Sequence, residues 1–330
     1  MLRGVKKERL AFSHRLSAID HRPYVIPVIT LTGDILVDLI GHNPLEAPTR
    51  SYTGVLGGSA LNTASVLARL GVPVRFVGEV GQDPLGEWAL ERLRARGVDT
   101  AFVRRLPAPT CISLAELDPT GDARYTFYRL FDPFPFEPDA GALEGASWFH
   151  FGSLSSFRPR NIAGIMRLLE DARARGIPVS FDPNIRAAPD AGYWAQLRAY
   201  LPYVRVFKCS LEDARILFPE ARPAPEALLE RVAGLGPEVA VLTLGEEGAV
   251  ARFRGRTFRA AGERVEVVDT IGAGDTFTAG LVYGLSRPGA TLEGLERALA
   301  GACALGALAC TVRGAGLPEA GLEGWLERYA

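Results

Sequence analysis

Short apolar runs alternate with helical stretches from about residue 25 onward, and this alternation constrains the fold more than any other feature. VIPVITL (25–31), VRFVGEV (74–80), WFHFGSL (148–154), VSFD (179–182), VRVFK (204–208) and VAVLTLG (239–245) are too continuously apolar to be strands wetted on one face. Between them lie LNTASVLARLG (61–71), PLGEWALERLRARG (84–97), NIAGIMRLLEDARARG (161–176) and LEDARILF (211–218), each with helical spacing. Helices fill most of 275–329. Buried strands followed by amphipathic helices predict an α/β fold, with a central, mostly parallel sheet flanked by helices. With 48% hydrophobic residues in a chain of 330, there is ample apolar material for such a core.

Two regions break the rhythm. Residues 34–56 are strand-like but interrupted by Gly and Pro, and 109–130 reads as a hairpin about a DPTGD turn. They predict a small antiparallel β lid over the carboxyl ends of the parallel strands, where open α/β sheets bind ligands. FDPFPFEPD (131–139) returns the chain to the core. Residues 1–23 are read as a tail and 24–330 as one domain carrying the lid.

A net charge of −1 gives no field for nucleic acid or an anionic membrane surface. No stretch of 18 consecutive apolar residues suggests a membrane span, and the basic N-terminus lacks the apolar core of a signal peptide. Four scattered cysteines without a CxxC pair read as reduced thiols, pointing to the cytoplasm. The four histidines show no metal-ligand spacing, and His150 reads as structural.

The chemistry is concentrated in VEVVDTIGAGDTFTAGLVYGL (265–285). Alternating branched residues precede a glycine turn, and a helix follows it. Amides at a helix N-terminus attract anions, and glycines let backbone approach them closely. Gly272, Ala273, Gly274 and Asp275 can therefore form an anion cradle. A carboxylate in that turn cannot itself bind phosphate, but it can take the proton of an attacking hydroxyl. That division of labour suits phosphoryl transfer, with Asp275 as base. There is no GxxxxGK[ST], and no GxGxxG follows the first strand.

DTIGAGDTF (269–277), together with GGSALNTASVLARLGVPVRFVGEVGQDPLGEWALERLRARGV (57–98), resembles the two signatures of the ribokinase-like, phosphofructokinase-B group of carbohydrate kinases, in their order over about residues 28–318. The resemblance implies a ribokinase-like fold and an ATP-dependent sugar kinase, with magnesium as cofactor and, as in many members, K+. It implies sugar contacts from Asp34, Asp38, Gly57, Gly58 and Asn62, and nucleotide contacts from Thr243, Gly245 and Gly248 of TLGEEG, from Gly272 and Gly274, and from Cys303 beside the adenine. The family's NxxE motif becomes Ser210-x-x-Asp213, with Asp213, or Glu212 one residue earlier, ordering magnesium through water. A monovalent-cation site would use Asp269, Ile271, Ala309, Val312 and Gly314. Tyr128, Arg129 and Arg186 recur in fructokinase-like members as sugar contacts, so fructose is the expected acceptor. The two stretches that carry them also occur in 2-keto-3-deoxygluconate kinases, and that alternative stays open, as does an inactive sugar-sensing regulator. The lid's uncovered strands imply a homodimer.

Overall fold

The computed structural model describes residues 28–42, 48–117, 123–128, 131, 133–185, 188–219, 224–287 and 292–329. The N-terminal tail, the DPTGD turn, Arg129 and Arg186 lie outside the described residues.

The expected parallel sheet is present. Its ten strands include, in spatial order, β14 (Arg256–Ala260), β13 (Ala249–Phe253), β12 (Val239–Thr243), β11 (Val206–Ser210), β10 (Val179–Asp182), β9 (Ala146–Gly152), β1 (Val28–Thr32), β4 (Val74–Gly81) and β5 (Val98–Asp99), while β6 (Val103–Leu106) also pairs with β4. All pairings from β12 through β4 to β5 and β6 are parallel; β13 and β14 add an antiparallel edge. The sequence reading did not anticipate that edge. Its strands are short, and the reversals are marked by turn glycines, Gly245 and Gly248 before β13 and Gly255 after it.

Period-two alternation sends successive side chains to opposite faces. Along β12, Val239 and Val241 join one core and Ala240 and Leu242 the other. The first core is covered by α1 (Ser59–Arg69), α2 (Pro84–Ala95), α7 (Ala273–Leu285), α8 (Leu292–Ala309) and α9 (Glu319–Tyr329). The second is covered by α3 (Pro159–Ala174), α4 (Ala191–Tyr200), α5 (Leu211–Leu217) and α6 (Pro225–Ala233). Aromatic rings stack inside the second core, with Phe151 and Phe181 centroids 4.3 Å apart.

Strand order fixes where a ligand can bind. From β1 the chain goes to β4 on one side and later to β9 on the other, so the order reverses at β1. A crevice opens at the carboxyl ends of strands at such a switch point. Gly33 and Asp34 follow β1 directly, and Gly152 ends β9. Over this end stands a separate four-stranded sheet, β3 (Tyr52–Gly57), β2 (Leu36–Gly41), β7 (Ile112–Leu117) and β8 (Ala123–Tyr128). Its outer pairs are antiparallel, as the hairpin pattern requires. The middle pair, β2 with β7, is parallel, because the long crossover between them lets both strands run the same way.

Helices α7 and α8 pack unusually close because of their small residues. A Cβ built on Gly284 would lie 2.5 Å from the Cβ of Ala298, and one on Gly280 would lie 2.9 Å from the Cα of Ala302. Gly284→Val is therefore expected to force the helices apart and lower stability by about 1–3 kcal/mol, the usual cost of overpacking. The thermal unfolding midpoint measures this, with Gly324→Ala, where a Cβ meets nothing within 4 Å, as the control.

Candidate active site

Asp275 occupies the first turn of α7, and α1 meets that turn across the crevice. Ser59 Oγ donates to Asp275 Oδ1 at 2.6 Å, and Asn62 Nδ2 donates to Oδ2 at 2.8 Å. Thr63 Oγ1 reaches the Asp275 carbonyl at 3.1 Å. Both carboxylate oxygens are thus held by side chains one helical turn apart on α1. Burial pushes the Asp275 carboxyl up to about 6, against the pull of the Ser59 and Asn62 hydrogen bonds.

The turn before Asp275 is built as its glycines suggest. Gly272 caps α7 at φ 79°, and a Cβ there would also strike Ala315. Ala273 N–H turns back to Thr270 O, while Thr276 N–H closes the first α-helical bond onto Gly272 O at 2.8 Å. The amides of Gly274 and Asp275 precede that bond, in the anion-attracting end of the helix. The branched residues just upstream form no strand; Val267 and Val268 are exposed, and Val267 lines a cavity.

That cavity, about 780 Å³, runs from Gly274 between the end of β12, the 245–248 turn, the 261–270 segment and α8. It brings together Thr243, Gly245, Gly248, Ala273, Gly274 and Cys303. Gly248 is required where it stands, at φ 92°, since a Cβ would lie 2.2 Å from Ala260 O. Cys303 is buried, its Sγ 3.9 Å from Ala260 O, and Cys310 also lines the space. The volume and glycine-rich lining fit a nucleotide whose phosphates point at α7.

On the other side of Asp275 the polar residues of the crevice converge. Asn62 N–H bonds Gly58 O at 2.8 Å, and a Cβ on Gly58 would strike Asp34 O. Asp38 packs on Gly57 and accepts from Ser113 Oγ; burial raises its carboxyl above the usual range. Asp34, Asp38, Gly57, Gly58, Asn62 and Asp275 thus form one continuous wall. Tyr128 does not join it. In the small sheet the register aligns Val55, Asp38, Ser113 and Phe127 in one row, whereas Tyr128 aligns with Ile112 and Val37. Neighbouring rows face opposite sides, so Tyr128 points away from the face of Asp38 and Phe127 towards it. Position in a motif could not supply that parity.

Ser210 and Asp213 form a capping box at α5. Asp213 Oδ2 accepts from Ser210 N–H and Oδ1 from Ile185 N–H, both at 2.9 Å. The carboxylate is buried and tied to backbone, and it does not line the cavity, although Ser210 is paired with Thr243, which does. Among the described residues no cluster of three or more His, Cys, Asp or Glu side chains suits a metal ion. The donor set fits magnesium held mainly by phosphates and water.

The proposed cation positions do converge. Asp269 Oδ1 accepts from Ile271 N–H and Oδ2 from Gly314 N–H, while Val268 N–H bonds Cys310 O. This laces 268–271 to the turn containing Ala309, Val312 and Gly314, beside Gly272. His150 is buried, bonded to Ser180 and depressed to about 3, so it stays neutral and structural.

Ser59 and Ser113, which donate to Asp275 and Asp38, and Phe127, on the face of Asp38, are residues that motif reading passed over. Ser59 was recoverable, since it lies three residues before Asn62 and so on the same helix face. Ser113 and Phe127 needed the register.

A ribokinase-like fold with this crevice, cavity and carboxylate defines a phosphoryl-transfer enzyme. The pfkB family carbohydrate kinase pattern matches residues 29–320. A fructokinase from Escherichia coli is 32% identical over 307 residues, covering 87% of this chain and 94% of its own. Two solved structures superpose closely. A fructokinase double mutant from Vibrio cholerae O395 in its fructose-, ADP- and potassium-bound form has a TM-score of 0.78 at 27% identity, covering 92% of this chain and all of that one. A putative ribokinase II from E. coli in complex with ATP and Mg2+ has a TM-score of 0.79 at 25% identity, covering 92% and 99%. The chain belongs to the pfkB family of carbohydrate kinases and is a sugar phosphotransferase.

The raised Asp275 carboxyl has a stability consequence. Its ordinary value is 3.8 and its folded value about 6, so the folded state favours the protonated form. Folding loses stability as pH rises from the first value through the second, by at most about 3 kcal/mol. Asp275→Asn removes that loss. It is expected to stabilise the protein relative to wild type by about 1–3 kcal/mol more at pH 7.5 than at pH 4. Denaturant unfolding at the two pH values measures the difference.

Proposed function

We propose that this protein transfers the γ-phosphoryl group of ATP to a hydroxyl of fructose, with Mg2+ on the phosphates and a monovalent cation such as K+ beside the anion cradle. The observation that carries the reading is Asp275. It stands on the helix turn between the nucleotide-sized cavity and the polar wall, its oxygens aimed by Ser59 and Asn62. The sugar lies against Asp34, Asp38, Gly57, Gly58 and Asn62 under the small sheet. Asp275 takes the proton of the attacking hydroxyl, and the sugar oxygen bonds to the γ-phosphorus. The bond from that phosphorus to the bridging oxygen breaks, and its electron pair leaves with ADP. The amides of Gly274 and Asp275, at the positive end of α7, stabilise charge on the migrating group. Thr243, Gly245 and Gly248 line the phosphate side, with Cys303 deeper in the cavity.

Fructose as acceptor is supported by the fructokinase names among the relatives and by Ser210 in place of asparagine. The small sheet closes over the sugar as a lid and excludes water, which otherwise competes as acceptor. Tyr52 and Tyr128 are exposed on the face of that sheet opposite Asp38, which suits coverage by a second copy of the chain. Light scattering is then expected to give about twice the 35.5 kDa chain mass, and the monomer mass would refute a dimer. The setting is cytoplasmic, as four free thiols suit.

A coupled ADP assay with fructose, 2-keto-3-deoxygluconate, ribose and adenosine tests the acceptor. Fructose is expected to give the highest kcat/KM; preference for the sugar acid would move the reading to its kinase, and binding without ADP release would make the protein a sensor. Asp275→Asn is expected to keep ATP and sugar binding while lowering turnover by about 10²–10⁴-fold, the contribution of a general base. Because the base must be ionised, wild-type turnover rises with pH through about 6 and then levels.

A further inference from the structure

Lys208 is out of place by ordinary rules. It lies on β11 between Phe207 and Cys209, whose side chains fill the second core, and so points to the opposite face. Its side chain is only 7% exposed. A Cβ built on Gly274 would lie 3.5 Å from its Nζ, so the ammonium sits directly beneath the first turn of α7. A cation at a helix N-terminus opposes the helix dipole, and a buried ion pair is often no more stable than an apolar pair of the same volume. Helix stability therefore does not account for it.

The groups around it form a chain that ends on the catalytic turn. Lys208 Nζ donates to Asp182 Oδ2 at 2.7 Å, and the Asp182 side chain is 5% exposed. Asp182 Oδ1 accepts from Asn184 N–H. Thr278 Oγ1, one turn along α7, lies 3.3 Å from the same Asp182 Oδ2 and donates to Gly274 O at 2.9 Å. The pair on β10 and β11 is thus connected through Thr278 to the peptide that precedes Asp275.

We propose that Lys208, paired with Asp182, is a positioning residue for the base: it supports the first turn of α7 from beneath and sets its positive charge against that of Asp182 beside the Asp275 carboxylate. This rests on the reading of Asp275 as base. The groups facing Asp275 are Ser59 and Asn62 from α1, Asp182 from β10 and Lys208 from β11. Asp213, at the start of α5, and neutral His150, on β9, face Lys208. Lys208 favours the charged form of Asp275 and Asp182 disfavours it, so their removal has opposite signs.

The test titrates Asp275 directly, by carboxyl 13C NMR of aspartate-labelled protein, its resonance assigned by loss in Asp275→Asn. Lys208→Met is expected to raise the midpoint and Asp182→Asn to lower it, the second by more than the first. In initial-rate assays Lys208→Met is expected to lower kcat about ten- to a hundredfold, with KM for ATP and sugar within about twofold. Folded variants whose Asp275 midpoint stays put, or moves the same way in both, would overturn the proposal. If Lys208→Met does not fold, Asp182→Asn decides alone: a lower midpoint supports the proposal and an unchanged one overturns it. The titration needs no turnover, so a wild type that phosphorylates no sugar would sink the kinase reading separately.

Discussion

Two hydrogen bonds between α1 and α7 hold the active site together. Ser59 and Asn62 fix both oxygens of Asp275, and in doing so they join the two signature segments of the chain across more than two hundred residues. In the proposed reaction the carboxylate between these helices must be aimed at a hydroxyl, shielded from water, and still able to lose its proton. Burial raises its proton affinity, and the two donors hold that rise to a value compatible with a base near neutral pH.

The rest of the fold serves that junction. Reversal of strand order at β1 opens the crevice, and the small sheet stands over it. Close packing of α7 on α8 leaves the first turn of α7 little freedom. The 268–271 segment, laced to the turn after α8, fixes the approach to Gly272. Rigid support on several sides suits a reaction in which catalysis is mostly positioning and charge stabilisation.

Charge is unusually dense beneath this turn. Asp182, Lys208 and Asp213 are all buried within the same end of the sheet. Each is satisfied by a named partner, so the group is ordered and not merely tolerated. Asp213 shows how much structural work a motif residue can carry. Its spacing fits the family's magnesium motif, and each of its oxygens also accepts from a backbone amide, which caps α5 and fixes the turn at Ile185.

The sequence by itself determined the layered architecture, the separate small sheet and the carboxylate at the start of α7 that we propose as the base. Those depend on local periodicity and on a glycine turn whose backbone needs are written in adjacent residues. Gly272, Gly248 and the start of α7 were legible for that reason. Tertiary structure alone decided which groups hold Asp275, that Phe127 and not Tyr128 shares the face of Asp38, that β13 and β14 turn antiparallel at the edge, and that Lys208 meets Asp182 under Gly274. These are contacts between distant segments, set by strand register and helix packing. A shift of one residue in register reverses the facing of every side chain, and no local pattern records it.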